Sequence, residues 1–209
     1  MILTEAQRDA LSEIVNIGIS KASKQLSILL KDRIEMNVPV VVVDDYGNLP
    51  DILDIRTDDE IVCVHQNATG FLTGRVMLLF HSDESRQLVQ ALVGAIPPMR
   101  GVDMRAFEYE ALTEIGNIIV SATIASIADL LTSRIGLTIP VYAEGQFGDV
   151  SAEIFGPQTD AGGKILAMKT VMRAARRDIT GTLVITFSFD RLNDLIRSID
   201  EFLAKLNAN

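Results

Sequence analysis

Between Leu11 and Leu29 apolar residues return every three or four positions, with polar residues filling the turns between them. This is the period of an amphipathic helix, with Leu11, Ile14, Gly18, Ala22, Leu26 and Leu29 forming the seam turned to a core. Thr4 is placed to cap that helix, Gln7 stands at the capping-box position, and the pattern runs to about Leu30 or Lys31. At about 100° per residue, Asp9, Glu13, Asn16 and Ser20 fall within about 60° of one another on the opposite side. Glu13 and Asn16 are therefore expected to face outward.

The period then changes. Met36 to Val43 is a β-branched run that predicts a strand, with Pro39 at a position where a missing N–H does no harm, such as an edge or a bulge. Asp44 to Asp51 reads as a polar loop. Glu60 to His65 and Gly74 to Phe80 predict a hairpin, and Ser82 caps a helix over residues 83–93. After a joint at residues 97–101 the order restarts with a helix from Met104 or Arg105 to Leu131. A strand over Ile139 to Ala143 containing Pro140 follows, then a loop and a short strand over Ser151 to Phe155. Lys164 to Ala174 and Thr182 to Phe189 form a second hairpin, and Asp190 caps a last helix from Arg191 to about Leu206.

The restart is a repeat in residues as well as in order. Asp9, Glu13, Asn16 and Pro39 stand at the same intervals as Glu110, Glu114, Asn117 and Pro140, 101 positions later. Leu11, Ile14, Ser20, Arg33 and Val40 also recur unchanged at that shift, too many for chance. The chain is thus expected to be one domain over residues 1–209 made of two repeats, about 4–98 and 104–206. The fold class that follows is α/β, internally duplicated and pseudo-twofold, with two long helices packed on a mostly antiparallel sheet. An exposed Glu and Asn pair on a solvated face is ordinary in one copy. Asn is a poor mid-helix residue, however, and its retention in both halves points to use.

Composition narrows the partners. At 209 residues, with 48% hydrophobic and 22% charged residues, the chain can bury a sizeable core. A net charge of −9 and a pI near 4.7 argue against nucleic acid or an anionic membrane surface as partner. The N-terminal MILTEAQRDALSEIV lacks the pattern of a signal peptide, and the apolar stretch from Ile115 to Leu131 is broken by Asn117 and Asp129. The expectation is a cytoplasmic protein without membrane insertion.

Other chemistry is sparse. Cys63 is the single cysteine and reads as a strand-core residue, so no multi-cysteine metal site can form. His65 and His81 lie near strand ends without a third ligand or a nucleophile nearby in sequence. The GPQTDAGGK stretch from Gly156 to Lys164 has the wrong spacing for a phosphate loop, and Arg173, Arg176 and Arg177 read as a solvated hairpin turn.

The arrangement Asp or Ser, three residues, Glu, two residues, Asn, then 22 residues and Pro resembles the signature of the CheC, CheX and FliY family of chemotaxis phosphatases. It occurs twice here, as in the two-site CheC type; Asp9 fits it and Glu110 departs by one methylene. The resemblance implies hydrolysis of the aspartyl phosphate of a CheY-type response regulator. Glu13 with Asn16 and Glu114 with Asn117 would be the catalytic pairs, the acid contacting the regulator and the Asn orienting the attacking water. Asp9, Glu110, Pro39 and Pro140 would support or bind the partner. No cofactor of its own is implied, Mg2+ being expected in the regulator. The same resemblance adds the receptor deamidase CheD as a further candidate partner, and a non-catalytic module of the flagellar switch as the alternative function.

Overall fold

A computed structural model describes residues 3–93, 104–155, 164–174, 179–188 and 192–207. The joint at 97–101, the loop at 156–163, Arg176, Arg177 and the Asp190 cap lie outside the described residues.

The first helix, α1 (Glu5–Leu30), begins with the expected reciprocal cap: Gln7 N donates to Thr4 Oγ1 at 3.3 Å and Thr4 N to Gln7 Oε1 at 3.1 Å. Its buried seam includes Leu11, Ile14, Val15, Gly18, Ala22, Leu26 and Leu30. Leu29 is 42% exposed, contrary to expectation, because the seam advances in steps of four from Ala22 through Leu26 to Leu30.

Two strands, β1 (Ile34–Met36) and β2 (Val40–Asp45), replace the single run expected over Met36 to Val43. A short 3-10 turn over Tyr46–Asn48 leads to α2 (Leu49–Leu53). Here the loop expectation fails: Pro50 sits in the first turn of the helix, where a missing N–H costs nothing, and Asp54 closes it in the left-handed conformation. The hairpin β3 (Glu60–Gly70) and β4 (Gly74–His81) and the helix α3 (Ser82–Val93) complete the first half.

The second half repeats it with α4 (Met104–Leu130), β5 (Ile135–Leu137), β6 (Val141–Gln146), α5 (Phe147–Phe155), the hairpin β7 (Lys164–Ala174) and β8 (Ile179–Ser188), and α6 (Leu192–Asn207). The strand expected over Ser151 to Phe155 is the end of α5. Phe147, Val150 and Ile154, spaced three and four apart, turn one helical face into the core.

All eight strands form one antiparallel sheet. The hairpins meet through β4 and β8, giving the order β7-β8-β4-β3. Each outer edge is then taken by strands from the other half: β1 and β2 pair with β7, and β5 and β6 pair with β3. Met36 faces Met172 and Val40 faces Lys169, so residues 37–39 oppose only 170 and 171. Leu137 faces Ala68 and Val141 faces His65, so 138–140 oppose only 66 and 67. Both prolines therefore lie in edge-strand bulges with one extra residue, where no ladder bond is lost.

The sheet is covered on both faces. Alternate β3 residues Val62, Val64 and Ala68 join the core under α1 and α4, whereas Ile61 and Cys63 join a second cluster with Leu49 and Leu53 of α2 and Phe147, Val150 and Ile154 of α5. The α1–α4 contact is close at Gly18, where an added Cβ would stand 2.8 Å from Thr123 Cα. Arg105–Leu130 is long and apolar enough by composition to cross a membrane; Leu112, Ile115, Ile119, Val120, Ile124 and Ile127 within it are buried in the first of these cores.

Candidate functional site

Both polar stripes face away from the core. Asp9, Glu13, Glu110 and Glu114 are exposed, and Asn16 and Asn117 are half-buried at the inner margin of each stripe. Each stripe runs beside a proline bulge. Pro39 is buried, and its carbonyl accepts a hydrogen bond from Ser12 Oγ at 3.0 Å, which ties α1 to the bulge one turn before Asn16. Pro140 is half-buried. Thr113, which stands where Ser12 does, has a buried hydroxyl without a partner among the described residues.

The second bulge is tied differently. Gln66 of β3, 2% exposed, donates through Nε2 to Thr138 O at 3.1 Å and to Asn117 Oδ1 at 3.2 Å. Ser121 Oγ donates to the same Asn117 oxygen at 3.2 Å. Since Val141 pairs with His65 and Val40 with Lys169, the position equivalent to Gln66 is Thr170. Thr170 Oγ1 donates to Asn37 O at 2.6 Å, the counterpart of the Thr138 bond. No side-chain hydrogen bond holds Asn16 among the described residues.

Apolar side chains flank both prolines in the open. Val38 is 65% and Ile139 81% exposed, with Val40 and Val141 also exposed beside them. These four are twins at the shift of 101, and they place an apolar rim along each polar stripe. The second rim also carries Tyr109 and Tyr142, ring centroids 5.1 Å apart, where the first half has Arg8 and Val41. The Tyr142 hydroxyl donates to Glu144 Oε2 at 2.8 Å, and burial followed by that bond pushes its pKa up.

The remaining titratable groups lie off the stripes. Cys63 is fully enclosed, and burial raises its thiol pKa, so it stays a protonated core residue. His65 lies on the α2 and α5 side of β3; burial first, and then Arg75, hold its pKa down. Among the described residues no three His, Cys, Asp or Glu side chains cluster as a metal site.

Sequence reasoning did not find Gln66, Ser12 or the Val38 and Ile139 rim, and it placed Ser121 only as the twin of Ser20 in the polar stripe. Gln66 had a signal: it occupies the inward parity of Val62 and Val64, where a polar residue must have an internal partner. The rim residues also had one, since apolar side chains beside a bulge proline recur in both halves.

An α/β fold with paired helices across one antiparallel sheet, each presenting a Glu and Asn stripe beside a proline bulge, defines a protein with two like polar faces. A family model described as CheC-like matches residues 7–43, from the first turn of α1 into β2. The CheY-P phosphatase CheC of Bacillus subtilis is 26% identical over 153 residues, 72% of each chain. The flagellar motor switch phosphatase FliY of the same organism is 21% identical over 138 residues, 66% of this chain and only 35% of that longer protein. Among solved structures, FliY of Thermotoga maritima superposes with a TM-score of 0.71 at 22% identity, covering 98% of this chain and 99% of that one. The crystal structure of the CheX-CheY-BeF3-Mg2+ complex from Borrelia burgdorferi matches with a TM-score of 0.52 at 15% identity, over 83% of this chain and 97% of that one. The chain is thus similar in sequence to CheC and FliY, and in fold to FliY and CheX, of the CheC/CheX/FliY group of chemotaxis proteins.

Proposed function

We propose that the protein is a phosphatase that hydrolyses the aspartyl phosphate of a CheY-type response regulator, with Asn16 and Asn117 orienting the attacking water. The observation that carries this is the pair of outward stripes, Glu13 with Asn16 and Glu114 with Asn117, at one spacing on two equivalent helices. The relative named a CheY-P phosphatase supports the reaction, and the CheX complex with CheY supports the class of partner.

The chemistry asks little of this chain. An aspartyl phosphate is an acyl phosphate and already reactive, and the regulator's own Mg2+ neutralises its charge. What is missing is a positioned water. A carboxamide can hold one through an N–H donor or a carbonyl acceptor without ionising, as a glutamine does in GTPases. A hundredfold acceleration needs about 2.7 kcal/mol off the barrier, within the reach of positioning alone. Glu13 and Glu114, exposed one helical turn earlier, are the groups to pair with a lysine of the regulator. The Val38 and Ile139 rims add apolar area for docking.

Decay of a phosphorylated CheY-type regulator, followed with wild type, Asn16→Ala, Asn117→Ala and the double variant, tests this. The double variant is expected to fold and to lose all acceleration. If wild type accelerates nothing, the chain is a docking module of the switch apparatus. CheD, the further candidate partner, is tested by pull-down with purified CheD.

A further inference from the structure

The two faces differ in how the oxygen of the Asn is held. Asn117 Oδ1 accepts from both Gln66 Nε2 and Ser121 Oγ, and a carboxamide oxygen has two lone pairs. Its acceptor capacity is filled from within the protein, and its NH2 is left for whatever docks. Gln66 cannot swing aside, because it is buried and its amide nitrogen is also fixed to Thr138 O in the bulge. In the first half Thr170 stops at Asn37 O, too short to reach Asn16.

The difference extends to the helices. Gly116 precedes Asn117, and a Cβ there would stand 2.5 Å from Val64 Cγ1, so α4 lies down on β3 with no side chain between. The equivalent position in α1 is Val15, whose buried side chain occupies that place. The glycine and the longer amide act together: one brings the helix down, the other reaches up.

We propose that Gln66 is a positioning residue that makes the second site a pre-set hydrogen-bond donor, leaving Asn16 at the first site a freely turning carboxamide. Its effect on rate rests on the phosphatase reading above; the tether itself does not. An Asn already fixed in rotamer loses less freedom on entering the regulator, which favours the second site by about two- to tenfold in kcat. The donor it offers holds the attacking water by its oxygen, and the water's proton leaves to the regulator, since a carboxamide does not titrate. Asn16 can present either end of its amide.

Two measurements on the full chain test this, with Gln66→Met as the variant that keeps volume and removes the donor. Nitrogen relaxation of the side-chain NH2 groups, without any regulator, is expected to show Asn117 more rigid than Asn16 and to lose that difference in Gln66→Met. Equal mobility in the wild type overturns the tether. In an Asn16→Ala background Gln66→Met is expected to lower kcat about two- to tenfold at unchanged KM, while in an Asn117→Ala background it changes neither. An unchanged kcat in the first background, or an equal loss in both, overturns the positioning role. If the phosphatase reading is what fails, no protein accelerates decay, wild type included, and the relaxation measurement still decides the tether. Should Gln66→Met not fold, Gln66→Thr, the residue the other half carries, takes its place.

Discussion

Gly116 rests on Val64, so closely that a single methyl on the glycine would stand 2.5 Å from Val64 Cγ1. This contact sets how near α4 approaches β3. Gly116→Ala gains up to about 1 kcal/mol of helix propensity and incurs about 1–3 kcal/mol of overpacking, so a net loss near 1 kcal/mol is expected in chemical denaturation. Because the helix must lift, the Gln66 bond to Asn117 should lengthen and second-site kcat fall in an Asn16→Ala background. The opposite change, Val15→Gly, should leave a cavity under α1 and destabilise by more than Gly116→Ala.

The apolar rims predict a binding effect separable from folding. Val38→Ser with Ile139→Ser alters two side chains that are 65% and 81% exposed. Stability should stay within about 0.5 kcal/mol of wild type for each. If a docked regulator covers the rims, KM for the phosphorylated regulator should rise several-fold with kcat unchanged, about 1 kcal/mol of lost apolar burial. Steady-state decay kinetics over a range of regulator concentrations would show it.

His65 predicts a slope of stability with pH. Its folded pKa lies below its ordinary value because burial, and then Arg75, disfavour the charged ring. The unfolded chain therefore binds a proton more readily than the folded one as pH falls through about 6.5 and below, and stability should decline over that range. Denaturation midpoints at pH 7.5 and 5.5 should differ in wild type, and the contribution of this residue should vanish in His65→Gln. An unchanged slope in that variant would show that the ring is not the source.

The strand pairing predicts that neither half folds alone. A fragment of residues 1–98 keeps β1 and β2 but loses β7, the strand they pair with, and leaves β4 without β8. Circular dichroism should show no cooperative unfolding transition for it. Mixing it with a 99–209 fragment should restore one.

Much of this was legible before any coordinates. Periodicity gave both long helices, the hairpins and the Asn stripes, since each is a long element whose pattern repeats. The edge or bulge position of Pro39 followed from its missing N–H. What escaped was short or shared between halves. The helix α2 contains Pro50 and follows Gly47 and Asn48, which together read as a loop, and α5 shows its helical spacing only when Phe147 is counted with Val150 and Ile154. The partner of Asn117 is Gln66, 51 positions earlier and in the other half, and no local pattern connects two such residues. Their adjacency follows from α4 lying on β3 at Gly116 and Val64, a long-range fact.

The exchange of edge strands means that each candidate site is assembled from both halves of the chain. An assembly of two identical copies of one half would have to carry any change at both sites at once. Joined on one chain, the halves mutate separately, and they have done so where it counts: glycine against valine before the Asn, glutamine against threonine beneath it. Covalent fusion has freed the two faces to specialise while the shared sheet still obliges them to fold together.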